Sequence, residues 1–118
     1  MTETTTKTKR PAGRKTNPAT AILAEVKAER KAVEAEPIPL AGGQRPTKAK
    51  VHYQREANRW RSVETSRRLA ERPGWDASLL AALYGALAEA EPKNARSGLV
   101  RLAALAVAAV EDIDRETT

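Results

Sequence analysis

Few side chains in this 118-residue chain can make or break bonds, since it has no Cys and a single His, His52. Thiolate nucleophiles, thiolate metal sites and disulfides are thereby excluded, and imidazole-based zinc sites and Ser-His machinery very nearly so. Ser66, Ser78, Ser97 and the many Thr have no positioned base other than His52, which falls near the start of a helix where solvent reaches it. None is assigned a nucleophilic role. Acidic groups gather at the C-terminal end, where Glu111, Asp112, Asp114 and Glu116 surround one helical turn. A hard cation could be imagined there, because carboxylates at a helix C-terminus oppose its dipole, but a solvated helix end is the simpler reading. No catalytic residue, no metal and no cofactor is expected.

Basic groups are more numerous. Lys7, Lys9, Arg10, Arg14 and Lys15 crowd the N-terminal segment, while Arg61, Arg68 and Arg72 recur at i, i+7 and i+11, with Arg55 and Arg59 elsewhere on the same helix. These are the candidate contacts to phosphates or other anions. Trp60 and Tyr53 could stack on bases, although their common stripe is the core-facing side. Without a helix-turn-helix, zinc-finger or ribbon signature, such contacts imply salt-sensitive, sequence-indifferent binding. Residues 1–72 carry 17 Lys/Arg against 8 Asp/Glu, a net +9, whereas residues 73–118 carry 4 against 7, a net −3. The basic half suits nucleic acid, an acidic surface, or solubility alone.

The elements that must position these groups are helices. Residues 1–18 hold two Pro and no large apolar residue after Met1, too little to offset their ordering entropy. Asn17-Pro18 then opens a helix over about 18–35, in which Ile22, Val26 and Val33 share a stripe beside Leu23. Like-charge pairs Glu25/Glu29 and Lys27/Lys31 weaken it, so it frays unless something covers the stripe. Residues 37–46, with three Pro and two Gly, read as a linker. Residues 1–46 are therefore expected to be a disordered basic arm with one marginal helix, and residues 47–116 a helical domain.

Within that domain a long helix runs from Thr47 until Arg72-Pro73-Gly74 stops it, with Tyr53, Ala57, Trp60, Val63 and Ala70 on one side. Asp76 is the expected N-cap of a third helix, whose Leu79, Leu80, Leu83, Tyr84 and Leu87 form an apolar face. Asn94 or Ser97 is expected to cap a fourth, in which Arg101 is the sole polar residue from Leu99 to Val110. Residues 77–113 hold 12 of the chain's 24 large apolar side chains other than Met1. The fourth helix is apolar over too wide an arc for one chain to cover, so Val100, Leu105 and Val107 are expected to mediate self-association. A mid-helix Gly costs about 1 kcal/mol relative to Ala, so Gly85 needs a reason, either close packing or a ligand position. The fold class is all-α, three core helices per chain completed by dimerisation. No run reaches the roughly 18 apolar residues of a membrane span, and a cytoplasmic protein is expected.

The stretch from Trp75 to Glu116 resembles the C-terminal helix pair of actinobacterial and phage MazG-like proteins, which are all-α nucleotide pyrophosphohydrolases. The resemblance is carried by the Pro-containing turn Glu91-Pro92-Lys93-Asn94, the run Leu99-Val100-Arg101-Leu102-Ala103-Ala104 and the tail Glu111-Asp112-Ile113-Asp114-Arg115, about a third of the chain. It implies magnesium held by paired carboxylates on two facing helices. Carried across, those positions fall on Ala82, Gly85, Gly98 and Arg101, none of which is a carboxylate. The resemblance thus implies a protein that has lost the reaction. Ahead of a lower-ranked third, a sequence-indifferent DNA- or RNA-binding protein, two functions follow as expectations. One is a non-enzymatic regulatory or adaptor protein, binding a protein partner through its bundle and nucleic acid or an acidic surface through its basic arm. The other is a degenerate domain that holds a nucleotide without hydrolysing it, with Arg101 in place of the metal.

Overall fold

The computed structural model describes residues 17–117, whose regular structure comprises four helices: α1 (Pro18–Ala32), α2 (Pro46–Leu69), α3 (Trp75–Ala88) and α4 (Pro92–Thr117). Lys7, Lys9, Arg10, Arg14 and Lys15 lie outside the described residues, as does the expectation of disorder before Asn17.

Local chemistry sets the helix ends. The Asn17 side-chain oxygen accepts from the Ala19 N–H at 2.9 Å, and Pro18 follows as the first helical residue. Pro46 likewise opens α2, one residue before Thr47, because its missing N–H has no helical partner to lose there. At the other end of α2 the Arg72 N–H reaches the Arg67 carbonyl at 2.7 Å and the Glu71 N–H reaches Arg68 at 3.0 Å. This is a Schellman turn with Glu71, φ 60°, in the left-handed position usually held by Gly. The helix therefore ends before Arg72, and the expected stripe of Arg61, Arg68 and Arg72 is cut short.

Two capping expectations need correction. Gly74, not Asp76, occupies the cap of α3. Asp76 falls in the first turn, where Arg67 Nη1 donates to its two carboxylate oxygens at 2.8 and 2.9 Å. A strong carboxylate partner on α2 outcompetes the capping role, and the carboxylate still gains from the helix N-terminus. Similarly, α4 begins at Pro92, ahead of Asn94 and Ser97, since proline is well suited to a first turn.

The helices pack in a row. α3 packs closely on both α2 and α4, α1 packs on α4, and the backbones of α2 and α4 do not approach one another closely. At 100° per residue, Ala77, Ser78, Ala81, Ala82, Gly85 and Ala86 fill one half of α3, while Leu79, Leu80, Leu83, Tyr84 and Leu87 fill the other. Burial follows the small half. The buried residues are Ala57, Ala77, Ser78, Ala81, Ala86 and Ala95, joined by Ile22 and Val107. No leucine or aromatic side chain among the described residues is buried; those of α3 are intermediate. Small side chains let the backbones approach: a Cβ built on Gly98 would lie 2.9 Å from the Ala86 Cβ.

The first helix is a participant in this packing. Ile22 is 5% exposed against α4, so the same chain covers one position of the stripe that the sequence marked. The three core helices expected are joined by a fourth element. Leu23, Val26 and Val33 stay exposed beside it.

Candidate functional site

Where α2, α3 and α4 meet, the small half of α3 leaves a notch of about 210 Å³. Its floor is Ala81, Ala82, Gly85 and Ala86 of α3 with Gly98 of α4, its walls carry Arg61 from α2 and Arg101 from α4, and Glu89 and Asn94 complete the rim. Ala82, Gly85, Gly98 and Arg101, which the sequence singled out together, all line this one cavity.

The two glycines do different things. Gly98 is the close-packing residue, because a Cβ there would meet both Cβ and Cα of Ala86, at 2.9 and 3.2 Å. Gly85, expected to be either a packing or a ligand position, faces Arg61: a Cβ would lie 3.2 Å from Nη2 of that guanidinium. Arg61 Nη1 also donates to the Asn58 side-chain oxygen at 3.0 Å, and Gln54 Nε2 donates to the same oxygen at 3.1 Å. This pins Arg61 toward α3. Lys50 Nζ donates to the Glu89 carbonyl oxygen at 3.0 Å and so tethers the start of α2 to the end of α3.

The notch does not fit a divalent cation. Ala82, Gly85 and Gly98 offer no side-chain oxygen, Glu89 is the one carboxylate in the lining, and Arg61 and Arg101 bring fixed positive charge. Among the described residues no cluster of three or more His, Cys, Asp or Glu could hold a metal ion, including the C-terminal acidic run.

A second recess of about 380 Å³, lined by Arg68, Pro73, Gly74, Trp75, Ser78 and Asp112, is built differently. Trp75 Nε1 donates to Asp112 at 2.6 Å, Asp112 pairs with Arg115, and the Ser78 hydroxyl donates to Glu64 at 2.5 Å. Glu64 in turn pairs with Arg68 at 3.6 Å. These groups satisfy one another and clamp α2, α3 and α4 at one end. The Ser78 hydroxyl thus links α3 to α2. Sequence reasoning missed this clamp, because Trp75 to Asp112 and Ser78 to Glu64 join different helices.

The remaining sequence-based candidates are spread out. Arg68 belongs to the clamp and Arg61 to the notch, while Arg72 lies beyond α2. Trp60 and Tyr53 are half-buried, Tyr53 stacking on Tyr84 at 6.1 Å and Trp60 lying under the Arg59 guanidinium at 5.3 Å. His52 is exposed, its ring 6.4 Å from that of Tyr84. Val100 and Val107 line an apolar groove of about 410 Å³ between α1 and α4, with Ile22, Leu23, Val26 and Val110. Val107 is buried there, Val100 is 56% exposed, and Leu105 is half-buried outside the groove.

The Asp76 carboxyl is held below its ordinary value by the hydrogen bonds from Arg67 and then by the Ala77 backbone N–H. It is remote from the notch lining. No helix among the described residues is long and apolar enough to cross a membrane. No protein-family model, curated protein or solved structure matches this chain.

Proposed function

We propose that the chain is a non-enzymatic regulatory or adaptor protein, whose helical layer associates with a second copy and binds a protein partner. Its basic groups add electrostatic attraction to nucleic acid or an acidic surface. One observation carries this reading: the large apolar side chains are left incompletely covered. α2 and α4 both pack on α3, yet Leu79, Leu80, Leu83 and Leu87 of α3 are only half-buried within this chain. Along α4, Leu99, Val110 and Ile113 are 37%, 37% and 58% exposed, and they share a stripe with Ala106.

Full burial of a Val or Leu side chain is worth about 1.5–3 kcal/mol, so several such residues left at the surface favour association. A symmetric pairing of two layers would cover both faces at once. Sedimentation of the full chain tests this. The wild type is expected to be a dimer or higher oligomer at micromolar concentration, whereas Leu99→Glu and Ile113→Glu become monomeric while keeping their helical circular dichroism. A monodisperse, well-folded wild-type monomer would refute the association.

A further inference from the structure

We propose that the notch between Arg61 and Arg101 binds a phosphate-class oxyanion directly, without a metal, as the terminal phosphate or diphosphate group of a small molecule. The chemistry of the walls points there. Guanidinium groups present planar forks of N–H donors that match phosphate oxygens, and they bind them by charge-assisted hydrogen bonds. Here two of them, one from α2 and one from α4, line one cavity.

Their charges are not neutralised by the protein. Arg59, Arg67 and Arg68 each have a carboxylate partner, at 3.4, 2.8 and 3.6 Å. Arg61 bonds only to the neutral Asn58, and Arg101 has no hydrogen bond or ion pair among the described residues. Bringing two such cations to one concave surface is unfavourable until an anion enters. Glu89 at the rim opposes that entry in part, while Lys50, tethered to the Glu89 carbonyl at 3.0 Å, adds a further positive charge nearby.

The floor is shaped for close approach. Gly85 leaves the space that Arg61 Nη2 occupies, 3.2 Å from where a Cβ would be, and Ala82 and Gly98 keep long side chains out of the cavity. The Asn94 amide lines the same opening and can add a donor. At about 210 Å³ the notch is smaller than the roughly 300–1,000 Å³ typical of organic-ligand pockets. It suits a small ionic group whose remaining molecule stays outside.

Titration of the ¹⁵N-labelled full chain with inorganic phosphate, pyrophosphate and a nucleoside triphosphate, at constant ionic strength set with chloride, tests the site. Saturable shifts of the Gly85 and Gly98 amides are expected, pyrophosphate binding more tightly than phosphate and magnesium adding nothing. Arg61→Gln and Arg101→Gln should each weaken binding roughly tenfold, the value of one charge-assisted hydrogen bond, while Arg59→Gln leaves it unchanged. Glu89→Gln should tighten it, a gain that damage to the fold cannot mimic. An oligonucleotide without terminal phosphates should not reproduce the glycine shifts. The proposal is overturned by the absence of saturation, by equal binding in either Arg variant, by dependence on magnesium, or by shifts that only the oligonucleotide produces.

Discussion

Glu71 is the residue under greatest local constraint, holding φ 60° in the turn that closes α2. A non-Gly residue pays about 1 kcal/mol for that conformation, and the Schellman geometry gives it no alternative. Glu71→Gly is therefore expected to raise the thermal midpoint slightly, by the equivalent of about 0.5 kcal/mol or less once the unfolded-state entropy of Gly is subtracted. A lowered midpoint would contradict the assignment. Asp76 supplies a pH dependence whose sign is fixed. Its folded carboxyl titrates below the unfolded one, so the Arg67 and Ala77 contacts contribute fully above the ordinary carboxylate range and are lost as pH falls through the depressed value. Because the group is exposed the effect is small. Acid titration of stability should be shallower in Asp76→Asn than in the wild type, and an identical slope would remove Asp76 from the account.

Element against element, the two helix glycines give a pair of predictions with opposite signs. Ala at position 98 would drive a methyl into Ala86, whose backbone cannot yield, and overpacking of this kind costs about 1–3 kcal/mol. Ala at position 85 meets only the end of the flexible Arg61 side chain at 3.2 Å and restores about 1 kcal/mol of helix propensity. Denaturant unfolding should show Gly98→Ala destabilised and Gly85→Ala unchanged or stabilised. The same sign for both would mean that the α3–α4 crossing is looser than described. The indole clamp is a third test, since Trp75→Phe removes the donor to Asp112 and should cost about 1 kcal/mol.

Across the whole molecule, the arrangement has two unlike faces. One half of α3 is small and opens on the notch that Arg61 and Arg101 line, and the other is leucine-rich and half-buried. α1 packs on α4, with Ile22 as its one buried residue. Ile22→Glu should release it, so that limited trypsin digestion at Lys27, Arg30 and Lys31 becomes faster while α2, α3 and α4 stay protected. Equal cleavage rates in wild type and variant would show that α1 is not retained by this contact.

Local order was legible in the sequence because it depends on neighbours along the chain. Asn17-Pro18 as a helix start, the stop around Arg72-Pro73-Gly74, the Pro/Gly linker and the all-helical content all follow from caps, breakers and periodicity. The apolar positions were also legible as a set, including the leucine face of α3 and the run from Leu99 to Val110 in α4. What required the tertiary structure was which face of each helix became buried. Periodicity marks the leucine side of α3 as the apolar one, yet the neighbouring helices pack closest on alanine, serine and glycine, because small side chains admit the nearest backbone approach. The same is true of the polar pairs. Asp76 leaves its cap role for Arg67, Trp75 finds Asp112, and Arg61 and Arg101 come to line one notch. In each case the partners sit on different helices, and only the placing of one helix against another brings their charges and donors together.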